Sequence, residues 1–265
     1  EEGDRSPADV FFAQDGGALG ALTRAEMFAE LPSRPLDAVD ERFRAEDGTW
    51  VGTSGRVRVI AYNADELAES DVPDSVFDLT APEWSGRVGI APGNASFQAF
   101  VTAMRVLEGE DAAQQWLEDM AANGVERFDN NVLVLDAVND GVVDLGLINH
   151  YYWYEKVAEE GQDAVSARVK FLPGEDPGSL INVAGVGVLA SSDRGEEATQ
   201  FVEFLLSEDA QSYFAEQTME YPLVSGVPAA EGLPPLETLD APAIDLSDLD
   251  SLEETLRMIE EAGLT

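Results

Sequence analysis

Residues 142–154 read VVDLGLINHYYWY, and they give the strongest indication of the fold class. Its first part, Val142–Ile148, is an apolar run typical of a buried strand. The mixed aromatic and charged residues that follow, Tyr151–Glu160, predict a helix that ends at Gly161. A strand that leads directly into a helix is the repeating unit of an α/β protein.

The same alternation extends to both sides of this stretch. Apolar, β-branched runs bounded by turn residues predict further strands at Ala8–Phe12, Val57–Tyr62, Arg87–Ile90 and Val183–Leu189. Apolar residues at helical spacing predict intervening helices, with faces that contain Leu19 and Leu22, Phe97 and Phe100, Trp116 and Met120, Val202 and Leu205, and Leu252 and Leu256. We therefore expect an α/β architecture with mainly parallel sheets. The Pro-rich residues 222–242 are interpreted as a surface wrap.

The charge of the chain is strongly one-sided. It has 265 residues, with 53 Asp and Glu against 15 Lys and Arg, for a net charge of -38. Nucleic acid and anionic membrane are therefore poor partners. An acid-rich surface with so few lysines is typical of proteins from concentrated salt, where charges are screened over about 3 Å. We expect a halophilic source.

The residue types available for chemistry are few. The chain has no cysteine, and His150 is its only histidine. Zinc and copper sites normally use those residues, so a metal site here would hold a hard cation through oxygen ligands. A serine triad would require His150 itself, and no nucleophile-elbow, phosphate-loop or dinucleotide motif occurs. We predict no enzymatic activity.

Tyr151 and Tyr152 are candidate metal ligands at the strand-to-helix corner. A phenolate is a hard anionic oxygen ligand, and its free pKa near 10 means that a strong Lewis acid must remove its proton at neutral pH. The pair therefore indicates iron(III). Two other interpretations remain open: an aromatic core cluster, or a platform on which Tyr151–Tyr154 stack against an organic ligand such as a polyamine, thiamine or a sugar.

A candidate anion site lies where another strand gives way to a helix. The loop contains Asn94, Ala95 and Ser96, just before the helix expected to begin near Phe97. Free backbone N–H groups at a helix start bind anions. The alternative is an ordinary helix cap with Ser96 as the capping residue. Two amides at other strand–helix junctions, Asn131 and Asn149, are candidate neutral donors.

Several motifs, taken together, resemble one family. In chain order they are residues 6–12 (SPADVFF), 54–56 (SGR), 78–80 (DLT), 89–92 (GIAP), 148–153 (INHYYW), 176–178 (DPG), 201–205 (FVEFL) and 220–223 (EYPL). The set is similar to the ferric iron-binding proteins, the FbpA-like branch of the type II solute-binding proteins of ABC importers. The asparagine-tyrosine-tyrosine-tryptophan element is the most specific part of the resemblance.

The resemblance implies a two-lobed, periplasmic-binding-protein-like α/β fold with a hinge. It implies that Tyr151 and Tyr152 bind Fe(III) and that phosphate or carbonate binds as a synergistic anion. That anion would contact Asn94, Ala95 and Ser96 in the helix-start loop, and also Asn131 and Asn149. The implied protein is an extracytoplasmic monomer, periplasmic or at the cell surface, that serves an ABC transporter permease. Any membrane attachment would be through a lipid anchor outside these residues.

The sequence departs from the family pattern in two places. Where family members carry a glutamate ligand, this chain has Gln14 followed by Asp15, so either Asp15 substitutes or this lobe provides no protein ligand. Family members also begin with a strand and a helix before the Ser6–Phe12 motif. We therefore expect the chain to lack about 40 residues, the size of part of a βαβ unit, which leaves the first lobe incomplete.

The resemblance also implies a discontinuous division into lobes. The first lobe is expected to comprise residues 1–58 and 184–234, and the second to comprise residues 59–183. The tail, residues 235–265, could pack on either lobe.

Overall fold

The computed structural model describes residues 6–265, so the expected helix remnant at the start of the chain lies outside the described residues. The chain divides into two units. Unit 1 contains residues 6–56, 182–236 and 243–251, and unit 2 contains residues 57–181, 237–242 and 252–265. The chain thus passes between the units at residues 56–57 and 181–182, in both cases two residues before the expected position. Both units receive part of the tail.

Strands and helices alternate along most of the chain, as the sequence predicts. The strands are β1 (Val10–Ala13), β2 (Trp50–Asn63), β3 (Val88–Ile90), β4 (Glu126–Arg127), β5 (Leu145–Asn149), β6 (Ala167–Lys170), β7 (Ile181–Val188) and β8 (Tyr221–Pro222). The helices are α1 (Gly16–Arg24), α2 (Ser33–Asp37), α3 (Ala95–Glu108), α4 (Glu110–Ala122), α5 (Asn131–Asn139), α6 (His150–Glu160), α7 (Gly195–Leu205), α8 (Glu208–Gln217) and α9 (Leu252–Glu261). Within residues 6–265, none of these helices combines the length and the apolar character needed to cross a lipid bilayer.

In unit 1 the strand order is β1-β7-β2-β8. The buried amide of Gln211 in α8 ties several elements together. Its Nε2 donates to the carbonyls of Thr53 (2.7 Å) and Leu205 (2.9 Å), and its Oε1 accepts from the Leu223 N–H (2.8 Å). Helix α1 packs against residues 246–250 so closely that a Cβ on Gly20 would lie 2.1 Å from the Ser247 carbonyl oxygen.

In unit 2 the strand order is β6-β2-β5-β3-β4, with helices packed on the sheet. An aromatic cluster fills the space between α3 and α4. Phe100 and Trp116 meet edge to face with ring centroids 5.4 Å apart, and Phe97 contacts both rings. The Trp116 indole N–H is buried and donates to the Val76 carbonyl at 2.9 Å. This polar group is therefore satisfied within the core, as burial requires.

The expectation of mainly parallel sheets is wrong. Strand β3 runs parallel to β4 and β5, but β1 with β7, and β2 with β5, β6 and β8, are antiparallel pairs. The reason lies in β2, the 14-residue strand by which the chain leaves unit 1 and enters unit 2. The segments that return beside it run in the opposite direction, which periodicity alone does not reveal.

Candidate metal and anion site

The strand-to-helix corner lies where the sequence places it. β5 ends at Asn149, and α6 begins at His150 and ends before Gly161. Tyr151 and Tyr152 therefore occupy the first turn of α6, where both side chains are half-buried. Their ring centroids are 4.2 Å apart, with the planes tilted by 32°. The corner thus presents two neighbouring phenols at one helix start.

His150, beside the tyrosines, is fully buried. Its Nδ1 accepts a hydrogen bond from the Val57 backbone N–H at 3.1 Å. Val57 belongs to β2 and lies 93 residues away in sequence. One ring nitrogen is therefore committed to holding the start of α6 against β2.

The start of α3 differs from the expectation in its capping residue. Asn94, not Ser96, is the N-cap, and the helix begins at Ala95, not near Phe97. Asn94 has extended backbone angles, and its Oδ1 accepts from the Ser96 backbone N–H at 3.0 Å and from the Ser96 hydroxyl at 2.8 Å. A side-chain oxygen that accepts from the backbone N–H two residues further along the chain is the geometry of an N-cap. Because Ser96 is not the capping residue, its hydroxyl oxygen can accept hydrogen bonds from other side chains.

The Ser96 hydroxyl joins three parts of unit 2. It accepts from Asn131 Nδ2 at 2.9 Å and from Arg58 Nη1 at 3.2 Å, while it donates to Asn94. Asn131 is the first residue of α5 and is fully buried. Asn149 is directly opposite Arg58 in the β2–β5 ladder. The structure therefore joins Asn131 to the helix-start loop through Ser96, and it places Asn149 opposite Arg58, which also contacts Ser96.

Arg58 is a member of this site that the sequence analysis missed. It is buried, its Nη2 donates to the Leu147 carbonyl at 3.0 Å, and its guanidinium lies 5.2 Å from the ring centroid of Phe100. Burial lowers the pKa of Arg58 to about 9, opposed by the charges of Tyr152 and Tyr151, so the side chain stays cationic at neutral pH. The sequence did contain a signal for this residue: Arg58 is a charged residue inside the apolar run predicted as a buried strand, and buried charges need a reason.

Gln14 and Asp15 lie in unit 1, whereas the tyrosines lie in unit 2. Asp15 is the N-cap of α1, with Oδ1 accepting from the Ala18 N–H at 2.9 Å. Gln14 is exposed, and its backbone carbonyl accepts from Arg56. One oxygen of the Asp15 carboxylate therefore has a structural role in the described structure.

Conventional metal clusters do not appear in the described part of the chain. Residues 6–265 contain no group of three His, Cys, Asp or Glu side chains placed to hold a metal ion. The candidate donors are therefore the phenol oxygens, the amide oxygens and the single Asp15 carboxylate, all of them hard oxygen donors.

The two α/β units, and the polar residues Asn94 and Ser96 at the start of α3, define a solute-binding protein of the type II periplasmic-binding-protein fold. The model of the family "Bacterial extracellular solute-binding protein" matches residues 5–246, and the chain belongs to this family.

Similar proteins are found both by sequence and by structure. The major ferric iron-binding protein of Neisseria meningitidis is 36% identical over 266 residues, covering 100% of this chain and 80% of that protein. The crystal structure of iron-bound HitA from Pseudomonas aeruginosa is 39% identical, with a TM-score of 0.91 over 99% of this chain and 85% of that chain. Trichodesmium FutA (IdiA), with iron and citrate ligands, is 28% identical. Its TM-score is 0.89, covering 100% of this chain and 86% of that chain.

Proposed function

We propose that this protein is the extracytoplasmic component that captures Fe(III) with a synergistic anion and delivers it to an ABC transporter permease. It acts as a monomeric carrier and not as an enzyme. The family membership supports the carrier role. The relatives from Neisseria and Pseudomonas are, by name, a ferric iron-binding protein and an iron-bound protein, which supports iron as the cargo.

One observation carries the proposal: two adjacent phenols, with ring centroids 4.2 Å apart, lie in the same unit as a buried cation and an N-capped helix start. As phenolates, Tyr151 and Tyr152 cancel two of the three charges of Fe(III). An anion held at the start of α3 supplies the rest of the negative charge. The donors are all hard, which suits a trivalent cation better than zinc or copper.

In this proposal Asn94, Ala95 and Ser96, with Asn131 and Asn149, bind the anion, which is phosphate or carbonate. The hydrogen bonds that join Ser96 to Asn94 and Asn131 support a common role for these residues. Asp15 is a further candidate ligand through the carboxylate oxygen that does not cap α1, and Gln14 is a weaker one because its amide oxygen is neutral.

A metal-free carrier of a polyamine, thiamine or sugar is the competing function. It would use the aromatic residues Tyr151–Tyr154 as a stacking surface. Trp153 is only 8% exposed, and its indole N–H donates to the Ala167 carbonyl at 2.7 Å. Burial of the largest ring of the set disfavours the stacking function, because that ring faces the core and not a ligand.

Titration of the metal-free protein with Fe(III)-citrate, followed by visible absorption, tests the proposal. Phenolate bound to Fe(III) absorbs visible light by ligand-to-metal charge transfer, so the protein should become coloured at one equivalent. Titration with spermidine, thiamine and glucose by calorimetry provides the comparison. A colourless protein that binds one of these organic ligands would replace the iron proposal with the metal-free one.

A further inference from the structure

An open cavity lies in unit 2, between helix α9 and the carboxyl ends of strands β3 and β4. Its volume is about 620 Å³, and all its lining residues belong to unit 2. Pro92 and Gly93 follow β3, and Phe128 and Asp129 follow β4, which runs parallel to β3. The crevice outside the carboxyl ends of parallel strands is where α/β folds bind ligands, and this volume is typical of a small-molecule site.

The cavity is separate from the candidate metal and anion site. Neither the tyrosine pair of α6 nor the loop of residues 94–96 lines it, and neither do Asn131 and Asn149. Helix α3 contributes Gln98, whose Nε2 donates to the Pro92 carbonyl at 3.2 Å. A ligand in this cavity would therefore be additional to the iron cargo.

Arg127, the last residue of β4, is the cation of this cavity. Its Nη1 donates to the carbonyls of Gly263 at 3.1 Å and Thr265 at 2.7 Å. No Asp or Glu side chain in residues 6–265 pairs with Arg127, and its Nε and Nη2 have no hydrogen-bond partner among those residues. One nitrogen thus anchors the side chain, and the edge formed by Nε and Nη2 is left for a ligand.

The free edge of Arg127 fits a carboxylate. The Nε–H and Nη2–H groups of a guanidinium can hold both oxygens of a carboxylate in a bidentate pair. Arg105 shows this geometry in the same unit, with Nε 2.8 Å and Nη2 2.7 Å from the two carboxylate oxygens of Glu110. Arg127 is therefore placed to bind a carboxylate that a ligand supplies.

Two carboxylates line the same cavity, those of Asp129 and Glu260. Both residues are exposed, and neither side chain forms an ion pair or a hydrogen bond with another described residue. They attract a cationic group, whereas an anionic ligand is repelled by them and by the net charge of -38. A ligand that carries one group of each sign meets both conditions.

The rest of the cavity wall is largely apolar. Leu256 and Ile259 of α9 and the ring of Phe128 contribute to it. Leu256 and Ile259 are three residues apart and share a helix face, but Leu256 is 43% exposed whereas Ile259 is 2% exposed. An apolar side chain of a ligand would cover Leu256, and the removal of that surface from water would favour binding.

We propose that this cavity binds a short peptide with apolar side chains and free, charged ends. The carboxylate end pairs with Arg127, the amino end lies near Asp129 and Glu260, and the apolar side chains cover Leu256 and Phe128. The cavity is larger than a single amino acid, which favours a dipeptide or tripeptide. This binding goes beyond iron capture and does not require it.

Calorimetry of the metal-free protein with leucyl-leucine tests the class of ligand. We expect binding of one equivalent. Three analogues each lack one feature: N-acetyl-leucyl-leucine lacks the ammonium group, leucyl-leucine amide lacks the carboxylate, and glycyl-glycine lacks the apolar side chains. Each analogue should bind more weakly by about fivefold or more.

Arg127→Gln tests the carboxylate contact. This variant should bind leucyl-leucine about fivefold or more weakly, and it should no longer distinguish the dipeptide from its amide. Arg168→Gln is the matched control. Arg168 Nη1 also donates to two backbone carbonyls, those of Val165 and Ala167, but Arg168 lies in β6 at the opposite edge of the sheet. Its variant should bind the dipeptide as the unmodified protein does.

Leu256→Asn tests the apolar wall independently. It should weaken leucyl-leucine binding by about fivefold or more. Leu252→Asn is the matched control, because Leu252 lies one turn earlier on α9, is 44% exposed and does not line the cavity. Thermal unfolding shows whether each variant is folded. Since the arginine and leucine variants change different walls, either one decides the question if the other does not fold.

Three results would overturn the inference: no binding of leucyl-leucine to the unmodified protein, equal affinity for the dipeptide and its capped analogues, or unchanged affinity in folded Arg127→Gln and Leu256→Asn. Dipeptide binding that disappears in a folded double variant, Tyr151→Phe with Tyr152→Phe, would place the peptide at the iron site and would also overturn it. Iron titration decides the proposed function separately, because no step of the peptide measurements uses iron.

Discussion

The rings of Tyr151 and Tyr152 lie side by side, with centroids 4.2 Å apart and planes tilted by 32°. Adjacent residues of a helix normally diverge by about 100° around its axis. Here the pair lies in the first turn of α6, where the chain has just left a strand, and both rings stay half-buried in unit 2. This placement makes the pair testable as a unit.

Replacement of both Tyr151 and Tyr152 by phenylalanine should abolish the visible band of the iron-loaded protein. The change deletes both donor oxygens and keeps the ring packing nearly constant. Absorption of the Fe(III)-loaded double variant checks this, and its thermal unfolding shows whether the fold is kept. Retention of the full band would exclude these residues as ligands.

Replacement of His150 by asparagine should leave iron binding close to that of the unmodified protein. Asparagine Oδ1 can take the position of Nδ1 and accept from the Val57 N–H. His150→Leu is the control: it leaves that N–H unpaired in the interior and should lower the free energy of unfolding by about 1–3 kcal/mol. Lost iron binding in a stable His150→Asn protein would make His150 a ligand. The measurements are iron titration and chemical unfolding.

Replacement of Ser96 by proline should weaken iron binding and remove its dependence on added phosphate or carbonate. Proline is tolerated in the first turn of a helix, but it deletes one backbone N–H and the hydroxyl that contacts Arg58 and Asn131. We expect a loss of about 1–3 kcal/mol in binding free energy. Ser96→Thr keeps both groups and should behave normally. Iron titrations at several phosphate concentrations decide whether the loop is only a helix cap.

Replacement of Glu110 by glutamine should lower stability at neutral pH but not in acid. Arg105, which is buried, donates two hydrogen bonds to this carboxylate, at 2.8 and 2.7 Å, and these hold the pKa of Glu110 below its ordinary value. Its stabilising contribution is therefore complete above the unfolded pKa and disappears as pH falls through the lower, folded pKa.

Because the Glu110 side chain is 57% exposed, we expect the substitution to lower the free energy of unfolding by only about 0.5–1 kcal/mol at pH 7. Urea unfolding at pH 7 and near pH 3 measures this difference. Glu108→Gln, at an exposed neighbour that forms no ion pair in the described structure, is the control and should change little. An equal effect of Glu110→Gln at both pH values would show that the ion pair is not its cause.

Replacement of Gly20 by alanine should destabilise the protein by about 1–3 kcal/mol, because the new Cβ would lie 2.1 Å from the Ser247 carbonyl oxygen. The backbone at Ser247 or in α1 must then move, because the atoms nearest to the new Cβ are all backbone atoms of Ser247. Gly195→Ala, at the start of α7 with open space around the added carbon, should be neutral or stabilising by up to about 1 kcal/mol. Similar unfolding midpoints for both variants would contradict the close packing of α1.

Sequence patterns alone predicted the α/β alternation, the strand-to-helix corner at Asn149 and His150, and the hard character of the candidate donors. These features are local or compositional: apolar periodicity marks strands and helices, and the absence of cysteine limits the ligand chemistry. The helix-start loop was also found, although its cap is Asn94 and not Ser96, because both residue types cap helices and only the backbone angles distinguish them.

The strand directions in the sheets and the contacts of Arg58 followed only from packing in three dimensions. Arg58 reaches Ser96 across 38 residues of sequence, and Asn131 reaches it across 35. These long-range contacts depend on the register of β2 against β5 and on where α3 and α5 begin, and no local sequence pattern encodes them. The sequence determined which groups could form a site. The packing of unit 2 determined that the buried side chains of Arg58 and Asn131 meet at the Ser96 hydroxyl.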